Sequence, residues 1–348
     1  MTCVFQPHLA TTAIGSLPFA DSHEAASFAI GAGLSIPFWP QIPRRSFLEG
    51  MIPQYSEGMP CVSMNREEER IWFDPGEKSS RLEEFYEEFL REDCSFFAIS
   101  PDAAGGLYAF ERLASGRTWP YVKGQSTGPV TFSTGVYSLN RETLYSDPDL
   151  RDAAVKMLVR KVEWQIGRLR QYASENVLIF VDEPSLAAYG SGAYVYLSEE
   201  KVQTLLREVF DAIAATGAIS GIHICGNSDW GMIARSGVRI INFDAYRYGA
   251  TMALYPDEIR RFLEGGGCIA WGIVPTDDTI RQENANSLTE RLRSHLAALA
   301  AKGIPGELLR ERALLTPSCG AGTMAADDAR LVFRLLKDVR QNCLSQER

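Results

Sequence analysis

Only four of the 348 residues are histidine and seven are cysteine; the cysteines are odd in number, scattered, and form no Cys-x-x-Cys pair. That excludes the dense, paired framework of a small secreted domain and a structural zinc site of the local four-cysteine kind. No apolar run reaches the roughly 20 residues that a membrane-spanning helix needs, and the first residues, Met1 to His8, lack the basic-then-apolar order of a secretion signal. Positive charge is also short: 35 Lys and Arg stand against 44 Asp and Glu, for a net charge of −9, and the basic residues are interleaved with acids instead of forming a stripe. General nucleic-acid binding is thereby excluded. No repeat, low-complexity tract or linker divides the chain. The expectation is a soluble, cytoplasmic protein in a reducing compartment, where thiols are free to hold metal.

What is there is a rhythm. Hydrophobic residues make up 45% of the chain, enough for a large core. Eight apolar runs that stop at Gly, Pro or polar turns predict strands at 11–16, 34–39, 121–125, 177–181, 219–224, 239–243, 268–273 and 313–316. Amphipathic patterns between them predict helices at 23–32, 152–172, 199–215, 256–264, 288–301 and 326–339, while 96–100, a ninth apolar run, reads as a helical or loop connection. Strand-then-helix alternation with near-continuous apolar strands implies a covered parallel sheet, and eight strands favour an α/β chain folded as a single (β/α)8 barrel over an open sheet. The stretch 53–76 breaks the rhythm: two apolar runs flank a charged turn, which predicts a hairpin inserted after the second strand of one barrel domain, 1–348.

The ends of these runs carry the chemistry. His223 and Cys225 are two apart at the end of the fifth run and so face one side, and Cys319 ends the eighth. In a closed barrel all such ends meet at one mouth, and three ligands with an open position is the pattern of catalytic zinc. Asp244, which ends the sixth run, is a candidate fourth ligand; hydrogen bonding to its own loop is the alternative. Asp182 and Glu183 follow the fourth run, before Pro184, where carboxylates can act as acid and base or meet a substrate amine; being adjacent they point apart, and a salt bridge or helix cap is the competing role. Gly15 and Ser16 close the first run in a turn whose N–H groups suit a carboxylate. Lys123-Gly124-Gln125 leads into another glycine-containing strand end without phosphate-loop spacing, and its simplest structural reading is a tight turn.

Five segments in this order, Thr12 to Leu17, Thr127 to Thr131, Asp182 to Leu186, His223-Ile224-Cys225 and Pro317 to Gly320, resemble the catalytic domain of cobalamin-independent methionine synthase. The resemblance extends to the wider group with uroporphyrinogen decarboxylase and the corrinoid-linked methyltransferases, and covers most of the chain from 11 to 323. It implies a (β/α)8 barrel with zinc on His223, Cys225 and Cys319, Asp244 standing where those synthases carry a glutamate ligand. It implies further a thiol acceptor of homocysteine or coenzyme M type, with its amine near Asp182 and its carboxylate near Gly15 and Ser16; Gln125 is a further substrate-side candidate. Two departures bear on the methyl donor. The full synthase has a second barrel that helps to bind folate, and it carries a proton-shuttling histidine after the seventh strand, where this chain reads Ala270-Trp271-Gly272-Ile273. A folate amine must be protonated to leave, whereas a methyl-corrinoid needs no such proton. The expected donor is therefore a corrinoid, free or protein-bound, with Trp271 and the 273–276 loop as donor-side contacts. The competing readings are a metal-independent decarboxylase, which the scarcity of basic pairs (Arg44 and Arg45 alone) disfavours, and a non-catalytic corrinoid-binding module.

Overall fold

The fold, seen in a computed structural model that describes residues 5–345 except the side chain of Ala193, is built on a curled parallel sheet wrapped in helices. In chain order the strands are β1 Ala10–Thr11, β2 Val62–Asn65, β3 Arg70–Phe73, β4 Trp119–Thr127, β5 Ala173–Asp182, β6 Ile219–Ile224, β7 Ile240–Phe243, β8 Cys268–Val274 and β9 Ala313–Pro317. The principal helices are α1 Ser22–Gly31, α2 Lys78–Phe89, α3 Gly105–Ala114, α4 Pro129–Gly135, α5 Pro148–Leu169, α6 Glu199–Ala215, α7 Trp230–Ala234, α8 Ala245–Tyr248, α9 Pro256–Glu264, α10 Ala285–Ala300, α11 Gly306–Glu311 and α12 Ala326–Ser345. Seven strands pair side by side in the order β1-β9-β8-β7-β6-β5-β4, every contact parallel.

The eighth place, between β1 and β4, is held by the 34–39 segment that the sequence predicts as a strand. It makes hydrogen bonds on both sides, from Ile36 N–H to Thr11 C=O (2.9 Å) and from Lys123 N–H to Pro37 C=O (2.8 Å), with bridges at Phe38 and at Ser16–Gln41. A regular ladder does not form because Pro37 and Pro40 have no N–H to give. The first strand likewise reaches only Thr11 before such bridging takes over. The fold is thus a TIM-like barrel, as the alternation implies, with one loosely stitched seam. The inserted hairpin is present too: β2 and β3 run antiparallel, Val62 opposite Phe73.

Strand alternation sorts the side chains into two cores. Ile36, Leu178, Phe180, Ile240, Cys268, Ala270 and Leu314 fill the barrel axis, while the intervening residues, Val177, Ile179, Ile222, Ile241, Ile269 and Leu315 among them, pack outward beneath the helices. The axial plug fills the lower barrel and leaves the C-terminal ends of the strands for polar side chains. No helix among the described residues is long and apolar enough to cross a membrane. Six of the cysteines are free thiols; Cys3 lies outside the described residues.

Candidate metal centre

Continuing the alternation upward from the plug gives the inward positions at the mouth: Lys123 and Gln125 on β4, Asp182 on β5, His223 on β6 and Cys225 just past its end, Asn242 on β7 and Asp244 just past its end, and Thr316 on β9. His223, Cys225 and Cys319 meet there, their ligand atoms all within 4.8 Å of one another. Cys319 is brought in by the turn after β9, which is tied to the end of the first strand segment by hydrogen bonds from Ala321 N–H to Ser16 C=O (3.0 Å) and from Gly322 N–H to Ser16 Oγ (3.2 Å).

The donor set fits zinc. His223 is buried, its Nδ1 is bonded to Asn242 Oδ1 at 2.5 Å, and its Nε2 is buried with no partner among the described residues. An orphaned buried nitrogen is costly unless something binds it. Burial pushes the imidazole down to about 4, so it is neutral at neutral pH, as a ligand must be. A hydrogen bond from Cys319 pulls the Cys225 thiol down to about 7, while the same contact and burial push Cys319 up. Without metal the Cys319 thiol thus donates to Cys225 and favours the Cys225 thiolate. Imidazole plus two thiolates suits zinc, and three protein ligands leave a position for a substrate.

Asp244 lies near enough for its charge to oppose ionisation of Cys225, but it is not one of the three whose ligand atoms converge. It caps α8, accepting from Arg247 N–H (3.0 Å) and from the Arg247 guanidinium (3.1 Å), which in turn pairs with Asp277. Both its oxygens are engaged in its own loop.

The neighbouring carboxylates divide as strand geometry requires. Asp182 faces the barrel, 4% exposed, and its Oδ1 is buried without a partner among the described residues. Burial raises its affinity for a proton and the nearby Lys123 opposes that; burial likewise drives Lys123 down. Glu183 turns away from the mouth and accepts from Val130 N–H (2.8 Å), Thr131 N–H (2.7 Å) and Thr131 Oγ1 (2.6 Å), anchoring the start of α4. Residue 128 must be glycine for this: a Cβ there would lie 2.2 Å from the Glu183 carboxyl carbon.

Lys123 is fully buried on the axis, where its ammonium donates to Ile14 C=O and to Gln125 Oε1 and sits 4.7 Å from the Phe180 ring centroid. Gln125 also donates to Trp39 C=O (3.1 Å) and lies so close to Gly15 that a Cβ on residue 15 would be 2.9 Å from its side chain. Gly15, Ser16 and Gln125 are thus joined in one wall of the mouth. Trp271 is not part of it. It has the outward parity of β8, is completely buried, and stacks on His295 of α10 with centroids 6.1 Å apart.

Several residues of the site were not singled out from the sequence. The insertion sends Tyr55 inward to donate to Gln125 C=O (2.6 Å), and Gln54 bonds both Gln41 Nε2 (2.7 Å) and Ala103 C=O (2.6 Å). Nothing in the local pattern of 53–55 signals this. Asn242 and Thr316, by contrast, carry the inward parity of their strands, a signal present in the sequence.

No family model and no curated protein matches this chain. Among solved structures it is similar to a B12-independent methionine synthase from Shewanella sp. W3-18-1 in complex with selenomethionine, with a TM-score of 0.62 and 13% identity over 97% of this chain and 98% of that one. A glycoside hydrolase overlays more loosely, with a TM-score of 0.44 and 13% identity over 96% and 99% of the two chains. The first likeness is one of fold.

Proposed function

We propose that this chain is a zinc-dependent methyltransferase that delivers a methyl group to a thiol acceptor of homocysteine or coenzyme M type, with a methyl-corrinoid, free or protein-bound, as donor. The observation that carries the reading is the convergence of His223 Nε2, Cys225 and Cys319 at the mouth, the nitrogen buried and unpartnered. Zinc on these three ligands would supply the Lewis acidity that keeps an acceptor thiol as the nucleophilic thiolate at neutral pH.

The chain's own residues do the rest. Asp182 presents an unpaired carboxylate oxygen beside the metal ligands and orients the acceptor through a donor group of that molecule. Lys123 holds the Ile14 carbonyl and Gln125, and so fixes the turn at Gly15 and Ser16. The donor assignment rests on where the histidines are. Of the four, only His223 projects into the barrel: His8 is exposed before β1, its backbone N–H on Glu311 C=O, His23 is exposed on α1, and His295 lies behind β8. No imidazole is left to protonate a folate amine, which a corrinoid donor does not require. Length does not separate the chain from the Shewanella protein, since 98% of that chain is covered.

The purified protein is expected to contain near-stoichiometric zinc, and zinc-edge X-ray absorption should gain a sulfur neighbour on addition of homocysteine or coenzyme M. Methylcobalamin should support methylation of one of these thiols and methyl-tetrahydrofolate should not. Absence of zinc together with an active Cys319→Ser variant overturns the metal reading; turnover with the folate alone overturns the donor.

A further inference from the structure

The geometry assigns Asn242 as the positioning residue of the metal centre: it selects the imidazole tautomer of His223 that leaves Nε2 free. The inference builds on His223 as a metal ligand and supplies what makes it one. It follows from a chain of hydrogen bonds in which only one direction is possible.

Asn242 sits opposite His223 in the β6–β7 register and opposite Ala270 in the β7–β8 register. Its Nδ2 lies 2.9 Å from Ala270 C=O and 2.7 Å from Thr316 Oγ1. A backbone carbonyl can only accept, so the carboxamide atom facing it must be the NH2 group. The amide oxygen is then the atom 2.5 Å from His223 Nδ1. That oxygen can only accept as well, so Nδ1 must carry the proton, and in the neutral ring Nε2 is left with its lone pair toward Cys225 and Cys319. All the members, His223, Asn242, Ala270 and Thr316, are buried, so no water competes to reverse the order.

The belt crosses four neighbouring strands, β6 to β9, at one level of the barrel. A leucine at 242 would fill the space, but the ring could then protonate at Nε2, which cannot bind metal. Loss of such a partner typically weakens metal binding about 10–100-fold.

The test uses the full chain. In metal-free protein labelled with ¹⁵N-histidine, His223 is expected to show a protonated Nδ1 and an unprotonated Nε2. In chelator competition, Asn242→Leu should lose about 10–100-fold in zinc affinity. Asn242→Asp keeps an acceptor for Nδ1–H and, protonated in its buried place on the oxygen that faces Ala270 C=O, still donates there, so it should retain the tautomer and most of the affinity. An Nε2–H tautomer in the wild-type protein, or Asn242→Leu binding zinc as tightly as wild type, overturns the proposal. Should Asn242→Leu fail to fold, the wild-type tautomer and Asn242→Asp decide. Absence of zinc binding by wild type would fail the metal centre itself, whereas a wrong tautomer with zinc bound would fail only the role of Asn242.

Discussion

At the scale of single residues, ligand identity is set by what each side chain already has as a partner. Asp244 has two, both through Arg247, and His223 Nε2 has none among the described residues. Asp244→Asn is therefore expected to leave zinc stoichiometry unchanged, and Cys319→Ser to lose most of it; elemental analysis of the two purified variants distinguishes them, and metal loss from Asp244→Asn would restore the carboxylate as a ligand. Proton release gives a second check. With His223 already neutral, Cys319 pushed up and Cys225 poised at about 7, zinc uptake at pH 7 should release about one to two protons, all from sulfur. The sign follows: affinity falls as pH drops, through the Cys319 proton alone above the Cys225 value of about 7 and more steeply below it, where protons compete for both sulfurs. Calorimetry in buffers of different ionisation enthalpy measures the count, and a value near zero would contradict it. The convergence of His223, Cys225 and Cys319 was legible from three residue types at strand ends. The engagement of both Asp244 oxygens by Arg247 was not, because that partner stands three residues on, in a loop whose geometry no periodicity encodes.

At the scale of elements, strand parity decides more than motif membership does. Asp182 and Glu183 are neighbours in one acidic pair, yet parity sends the first to the mouth and the second to the N-terminus of α4. Asp182→Asn should thus raise KM for the acceptor while leaving the melting temperature close to wild type. Glu183→Gln should do the reverse, costing about 1–3 kcal/mol, since one acceptor atom cannot serve the donors of Val130 and Thr131 and its NH2 faces an N–H. Thermal melts beside steady-state kinetics separate the two, and a kinetic defect without destabilisation in Glu183→Gln would return it to the chemistry. The same parity places Trp271 outside the mouth. Cys268 and Ala270 are inward, so residue 271 must be outward, and the apolar partners of a Trp at a strand end do not reveal that until the register of the whole strand is known. The inserted hairpin was legible from its two apolar runs, but the inward reach of Gln54 and Tyr55 depends on tertiary packing.

At the scale of the whole molecule, the barrel is closed unevenly, and the weak closure borders the site. Strands β5 to β8 pair in continuous ladders, whereas the 34–39 segment carries Pro37 and is followed by Pro40, the two flanking its last bonds, including a long one of 3.4 Å from Trp39 N–H to Lys123 C=O. Local opening follows the density of hydrogen bonds and buried contacts. The amides of Ile36 and Trp39 should then exchange faster than those of β5 and β6, as read by hydrogen exchange in the metal-free protein, even though Phe38 and Trp39 are fully buried. Metal should change this at a distance. Zinc would join β6 to the turn after β9, and that turn is bonded to Ser16, which bridges Gln41 at the end of the seam. Loading is therefore expected to slow exchange at 319–322 and, through Ser16 and Gln41, at the seam, with little effect at the base of β5, where pairing is already complete. Uniform protection on loading would mean that the metal stabilises the barrel as one unit; slowing confined to 319–322 would mean that the Ser16 link carries no strain from the metal centre to the seam.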